Sequence, residues 1–360
     1  MFFAQASAPP PSLTSFTDFC YLFLSIVIEG APFILLGTIV SGFIDAYLPP
    51  GLIDRWLPKN RFLALILAAL LGAIFPVCEC AIVPVIRRLI KKGLPLACAI
   101  TYMLSAPIIN PIVILSTYTA FGTNISQFAL REDSASLAVA GTIGPFAMTL
   151  SRLAVAFLLT VGVGFIVSLM KKETVLRPNL LKGVNEGTSI PEKAAPAAAE
   201  PTQSHGDHGH DHGHDHGHDH GHDHAAPPDR LVLAMRTAMR DFIDTAMFFT
   251  IGVAITATFR AYVGENLVLL FNQSEFAGIY LMMVLAFILS LCSTSDAFVA
   301  ANFPVQSAAK LAFLVFGPML DVKLVFMYLA VFRKKFVIVL SLSLFVITGV
   351  LCYLWVHLIL

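Results

Sequence analysis

Charge is what this chain has least of. Asp, Glu, Lys and Arg make up 13% of its 360 residues against 57% apolar types, so a soluble fold of this length would lack the polar residues to cover its surface. The 23 basic and 23 acidic residues cancel and no basic stripe occurs, which removes nucleic acid as a partner. Histidine is missing from the apolar runs except at His357, so a serine or cysteine protease has no base there. A phosphate-cradling GxxxxGK[ST] loop is also missing, which excludes ATP hydrolysis by that route. With no catalytic constellation, neither an enzyme nor a bound cofactor is expected. The opening MFFAQASAPPP lacks the basic residues and cleavage site of a secretory leader, so the first apolar run is expected to stay as an anchor. The six cysteines (Cys20, Cys78, Cys80, Cys98, Cys292 and Cys352) do not space like a disulfide scaffold; only Cys78 and Cys80 are close enough in sequence to serve one site, and most are expected to be small buried hydrophobes.

What is present is membrane-spanning length. Apolar runs cover roughly residues 18–48, 62–86, 94–122, 146–170, 241–263, 277–300, 308–332 and 336–358, each long enough for a helix in a lipid bilayer. The expected fold is an all-α polytopic membrane protein: a first half over 1–170, a linker over 171–239 and a second half over 240–360. The linker cannot bury a core and is expected to be disordered. It carries ten of the eleven histidines, at 205, 208, 210, 212, 214, 216, 218, 220, 222 and 224.

The halves resemble copies. Glu29, Phe33, Gly37, Ala46 and Tyr47 match Asp244, Phe248, Gly252, Ala261 and Tyr262 at one offset of 215 residues, 244 minus 29; Cys78 aligns with Cys292, and Asn110 with Asp321. If all eight runs cross, basic clusters fall on both sides. If the second and sixth runs are re-entrant hairpins with tips at the Cys78 and Cys292 motifs, then Arg55, Lys59, Arg61, Arg87, Arg88, Lys91, Lys92 and Arg333 to Lys335 share the side of the linker, leaving Arg131, Arg152, Arg260 and Lys310 opposite. Three crossings plus a hairpin is an odd number, so the copies would then be inverted in the membrane, as in many secondary transporters. Both arrangements put the histidine tract in the cytoplasm.

The chemistry concentrates in FPVCECAIVP, residues 75–84. Residues two apart diverge by about 200° on a helix but share a face when extended, and the flanking Pro76 and Pro84 favour a broken backbone. Such backbone at membrane depth is tolerated where it lines a cavity. Thiolates suit Cu(I) and Zn(II), and Glu79 can add a carboxylate or take the proton released on ligand exchange. In SAPIINP, two prolines free the carbonyls of Met103 and Pro107 beside Asn110; the second half has GPMLD with Asp321, and LCSTSD with Cys292 and Asp296. All are candidate ligands of a metal or metalloid ion, with His205, His208, His210, His212, His214, His216, His218, His220, His222 and His224 as a flexible metal-collecting antenna. Glu29 and Asp244 are either proton-coupling groups or interfacial acids, and His357 reads as a terminal interfacial residue.

FPVCECAIVPVIRRLIKKGLP, followed by LSAPIINPIVILSTY, resembles the predicted permease family that includes organoarsenical efflux permeases and YraQ-like proteins. With the histidine tract it is similar to the branch described as copper/zinc efflux transporters. The resemblance implies a bacterial inner-membrane efflux permease, with Cys78 and Cys80 as the CxC pair and Asn110 in the motif that follows. Zinc or copper is the expected cargo, with protons as the coupling ion. The alternatives are trivalent organoarsenicals as cargo, or a membrane protein that buffers or senses metal without moving it.

Overall fold

The computed structural model describes residues 15–48, 57–58, 60–74, 77–129, 144–177, 230–262, 275–303 and 305–359. The histidine tract and most of the expected linker lie outside these residues, but residues 230–239, expected to be disordered linker, are the first turns of a long helix, so the second half begins earlier than residue 240. The described chain is helical, and its one β-bridge joins Leu176 to Phe332.

Each half follows the same plan. A long helix leads, α1 over Ser15–Tyr47 in the first half and α8 over Arg230–Tyr262 in the second. Two broken runs follow. In the first half these are α2 (Arg61–Ile74) with α3 (Glu79–Lys91), then α4 (Leu96–Ser105) with α5 (Pro111–Ala129). In the second they are α9 (Glu275–Leu289) with α10 (Ser295–Asn302), then α11 (Ser307–Met319) with α12 (Val322–Val331). A long helix closes each half, α6 (Pro145–Ser168) and α13 (Lys334–Ile359), with a short α7 (Lys172–Val175) after α6. The second and third apolar runs of each half are thus split into two helices apiece. Among the described residues, five helical stretches are long and apolar enough to cross a membrane.

Local chemistry explains the breaks. Pro111 opens α5, where its missing N–H costs nothing, and the Asn110 side chain accepts from Ile112 N at 3.0 Å. Asp321 caps α12 in the same way, accepting from Leu324 N at 2.7 Å, while the Tyr328 hydroxyl donates to the Met319 carbonyl at the end of α11. Between α9 and α10, Ser290 takes a left-handed backbone with φ 47°.

Contacts fix the directions. Gly37 lies on Ala81, Ser41 Oγ donates to the Pro84 carbonyl and Asp45 reaches Arg88, so α1 and α3 run parallel. Gly30 faces Phe249 and Gly42 faces Ala234, so α1 and α8 run antiparallel along their length. Leu65 and Thr101 meet at Gly164, and Gly72 abuts Ala106, so α2 and α4 are parallel. Because only Lys92 to Pro95 join α3 to α4, α3 runs back against both. One end of the bundle therefore gathers Arg87, Arg88, Lys92, Arg177 and Arg333: Arg88 and Lys92 pair with Asp45, and Arg333 Nε donates to the Leu176 carbonyl. Arg152 and Lys310 do not stand outside as the charge count expected. Both are buried within the bundle, Arg152 against Asp296 and Lys310 with its ammonium on the Ala301 carbonyl.

Candidate transport site

The helix starting at the Cys-Glu-Cys motif begins two residues earlier than extended backbone through Cys80 would require. Cys78 is extended, φ −71° and ψ 163°, and Glu79 is the first residue of α3. Pro84 then sits in the second turn and withholds the N–H that would have bonded the Cys80 carbonyl. Both cysteines still line one cavity of about 220 Å³. Glu79, Ser290, Cys292 and Lys323 line the same cavity, as do Glu29 and Phe33 from α1.

Beneath it lies a chain of buried charges joining the halves. Lys323 Nζ stands 3.6 Å from Glu79 Oε1 and 3.4 Å from Asp321 Oδ2, and donates to the Ser290 carbonyl at 2.9 Å. That last bond helps to hold Ser290 in a backbone conformation that a residue with a Cβ adopts only at a cost of about 1–3 kcal/mol. Ser293 Oγ donates to Glu79 Oε2 at 3.2 Å. The Ser293 carbonyl in turn faces Arg152, which pairs with Asp296 at 2.8 Å and donates to Thr117 Oγ1 at 2.6 Å. All five ionisable side chains, Glu79, Lys323, Asp321, Arg152 and Asp296, are nearly free of solvent. An isolated charge in that setting would be very costly, and only mutual pairing makes the cluster tolerable. Glu79 and Asp296 are each matched by a base of the other half, Lys323 and Arg152, while Asp321 shares Lys323 within its own half.

Of the residues expected from sequence, Cys78, Glu79, Cys80 and Cys292 are brought together on the cavity wall. Asp321 reaches the site through Lys323, and Asp296 is held by Arg152. Asn110 is occupied as the cap of α5 and is not part of the cavity wall. No three Cys, His, Asp or Glu side chains among the described residues stand close enough to hold an ion as placed. Lys323, Ser290 and Arg152 escaped the sequence reading. For Lys323 a signal was present, since a lysine two residues after Asp321 inside an apolar run needs a buried partner.

A second cavity, also about 220 Å³, opens at the basic end of the bundle, lined by Val83, Arg87, Asp244, Phe248, Met327 and Arg177 among others. Around it Arg88 binds Asp241 through two nitrogens at 2.8 and 2.9 Å, and Ser41 Oγ donates to Asp241 at 2.8 Å, tying α1, α3 and α8 together.

Comparison with known proteins agrees with this architecture. The chain is 37% identical over 330 residues to the UPF0718 protein YcgR of Bacillus subtilis (strain 168), covering 91% of this chain and 93% of that one. It is 33% identical over 321 residues, 88% of each chain, to a Streptococcus mutans protein named as a proposed subunit of a two-component membrane permease complex. No solved structure matches. The family model described as "predicted permease", ArsP_1, matches residues 15–356. A multi-pass bundle with long apolar helices and a polar cavity lined by irregular backbone is what moving a solute across a bilayer requires, and this chain belongs to the predicted permease family.

Proposed function

We propose that the chain is a secondary-active efflux permease of the bacterial inner membrane that exports soft metal ions, zinc or copper, through the thiol-lined cavity. The observation that carries this reading is the convergence of Cys78, Cys80 and Cys292 with Glu79 on one cavity inside a permease bundle. Thiols and a carboxylate are ligands for soft and borderline ions, and both must lose protons to bind and regain them to release, which supports proton exchange. The cavity wall would contract around the ion, since the donors as placed are not yet within one coordination sphere. The basic end is read as cytoplasmic, which sets the histidine tract there as a metal collector. The two halves act as an inverted repeat in which α2–α3 and α9–α10 are re-entrant hairpins, rocking about the site.

A second reading has its own support. Three cysteines and no histidine line the cavity, and three sulfurs are the donor set that trivalent arsenic prefers, so a trivalent organoarsenical is the competing cargo. Inverted membrane vesicles decide between them and retain any partner subunit of the kind the Streptococcus relative is named for. Zinc or copper accumulation that is lost in Cys78→Ser/Cys80→Ser supports the metal. Accumulation of methylarsenite alone overturns the cargo in favour of the second reading. Binding without net flux of either overturns transport and leaves a metal buffer.

A further inference from the structure

The duplicated triplet Glu29, Phe33, Gly37 and Asp244, Phe248, Gly252 recurs at identical spacing in α1 and α8. In space the two copies separate. Glu29 and Phe33 line the thiol cavity, whereas Asp244 and Phe248 line the cavity at the basic end. The third member of each copy packs on a broken helix of its own half: Gly37 on Ala81 of α3, Gly252 on Lys323 of α12. The cavities sit along the same two helices. Glu79, Cys80 and Lys323 face the first, while Val83 and Met327, each one turn further on, face the second. Four residues of helix span about 6 Å, so a thin partition divides them.

We propose that these are the two vestibules of one path, with Asp244 the cation-binding acid of the cytoplasmic vestibule and Glu29 its counterpart on the outer side. This rests on the reading of the chain as a metal exporter. A carboxylate oxygen in a watery mouth binds a hydrated divalent cation weakly and reversibly, which suits a waiting position ahead of thiols that bind it tightly. Arg87 Nη1 now pairs with Asp244 at 3.2 Å, with both side chains partly exposed. An exposed pair of this kind is worth at most about 1 kcal/mol, so an arriving cation can displace the guanidinium. Lys91 and Arg177 complete the rim, and their positive charge keeps the vestibule from trapping the cation.

Inverted vesicles carrying an internal zinc indicator test the inner acid, with vesicles lacking the chain as baseline. Asp244→Asn raises the zinc concentration for half-maximal flux about tenfold, equal to about 1.4 kcal/mol of binding, and Arg87→Gln lowers it by freeing the acid. Glu29→Gln weakens zinc binding from the outer face, read by counterflow in right-side-out vesicles. An unchanged Asp244→Asn, or an Arg87→Gln that raises half-saturation because the basic rim recruits an anionic complex, overturns the proposal. A cargo-independent arm places single cysteines at Phe33 and Phe248 in a cysteine-depleted chain. An impermeant maleimide labels the first only from outside and the second only from inside; labelling of both from one face overturns the twin vestibules. Absence of zinc flux in the wild type overturns the function proposed above and the acid roles with it, while opposite-face labelling would still uphold the pair of cavities.

Discussion

Two carboxylates and one ammonium share the buried site, and their balance determines what single substitutions do. Among the described residues, Lys323 is the one cation facing both Glu79 and Asp321, so cargo arriving at Glu79 competes with a tethered ammonium. Lys323→Met alone strands two buried acids, a loss of about 3–5 kcal/mol for a broken buried pair, and is expected to lower the yield of folded protein. Lys323→Met with Asp321→Asn removes one charge of each sign, which returns the net charge of the group to the wild-type value and leaves Glu79 as the acid open to cargo. This double variant should fold, bind cadmium more tightly than wild type and release it more slowly. The thiolate–cadmium absorbance of purified protein measures the first, and zinc flux the second. Tighter binding with faster release would contradict the competition. At the thiols, Cys78→Ser and Cys80→Ser should each abolish flux without loss of expression. Cys20→Ser should be neutral because Cys20 is exposed. Cys352→Ser should keep flux but lower the thermal midpoint by a few degrees, because Cys352 is fully buried and a hydroxyl there costs about 1 kcal/mol or more. The Cys-Glu-Cys motif was legible in the sequence because both ligands and the acid lie within three residues. The Lys323 partner was not, since its pairing with Glu79 spans the two halves and is made only by tertiary folding.

Helix directions, at the next scale, follow from close approaches that only small residues permit. A Cβ at Gly37 would lie 2.6 Å from the Ala81 carbonyl oxygen, and one at Gly252 would lie 2.6 Å from Lys323 Cα. Gly37→Leu and Gly252→Leu must therefore push α1 off α3 and α8 off α12, at a cost typical of overpacking, about 1–3 kcal/mol each or more. Both variants should lose zinc flux, whereas Gly162→Leu, where nothing lies within 4 Å of the added Cβ, should not. The parallel run of α2 and α4 also places the start of α2 at the basic end. A single cysteine at Asn60 of a cysteine-depleted chain should therefore resist an impermeant thiol reagent added to whole cells, and labelling from outside would refute the hairpin. Losing the Asn60 cap costs about 1 kcal/mol and leaves the helix in place. The broken runs were readable from Pro76, Pro111 and Pro318 and from internal repetition. The break at Ser290 has no proline to announce it and depends on Lys323 reaching its carbonyl, a tertiary cause that local propensity does not encode. Arg152 was misplaced for the same reason: a charge count treats every arginine as solvated, yet this one is satisfied inside by Asp296 and Thr117.

Across the whole molecule, the two halves meet through paired charges and through α1 against α8, while the segment that joins them in sequence carries the histidines. The first half is described as far as Arg177, on the wall of the cavity at the basic end, and the second from Arg230, the first residue of α8. Arg177 is thus at the mouth through which cargo is proposed to pass, and α8 runs from Arg230 to the same cavity at Asp241 and Asp244. A tether anchored there acts by raising the local concentration of metal, an effect that is large when free metal is scarce and vanishes at saturation. Deleting His205 to His224 should therefore raise the zinc concentration needed for half-maximal flux while leaving the maximal rate close to wild type. The same deletion in an Asp244→Asn background should have little further effect, because metal delivered to a vestibule without its acid gains no purchase there. Transport of an organoarsenical, if the chain carries one, should be untouched by the deletion, since neutral imidazoles offer trivalent arsenic little to bind. Zinc flux measured over a wide concentration range in inverted vesicles distinguishes these roles. A fall in maximal rate with unchanged half-saturation would identify the segment as a strap that the rocking of the halves requires, and the collecting role would be refuted.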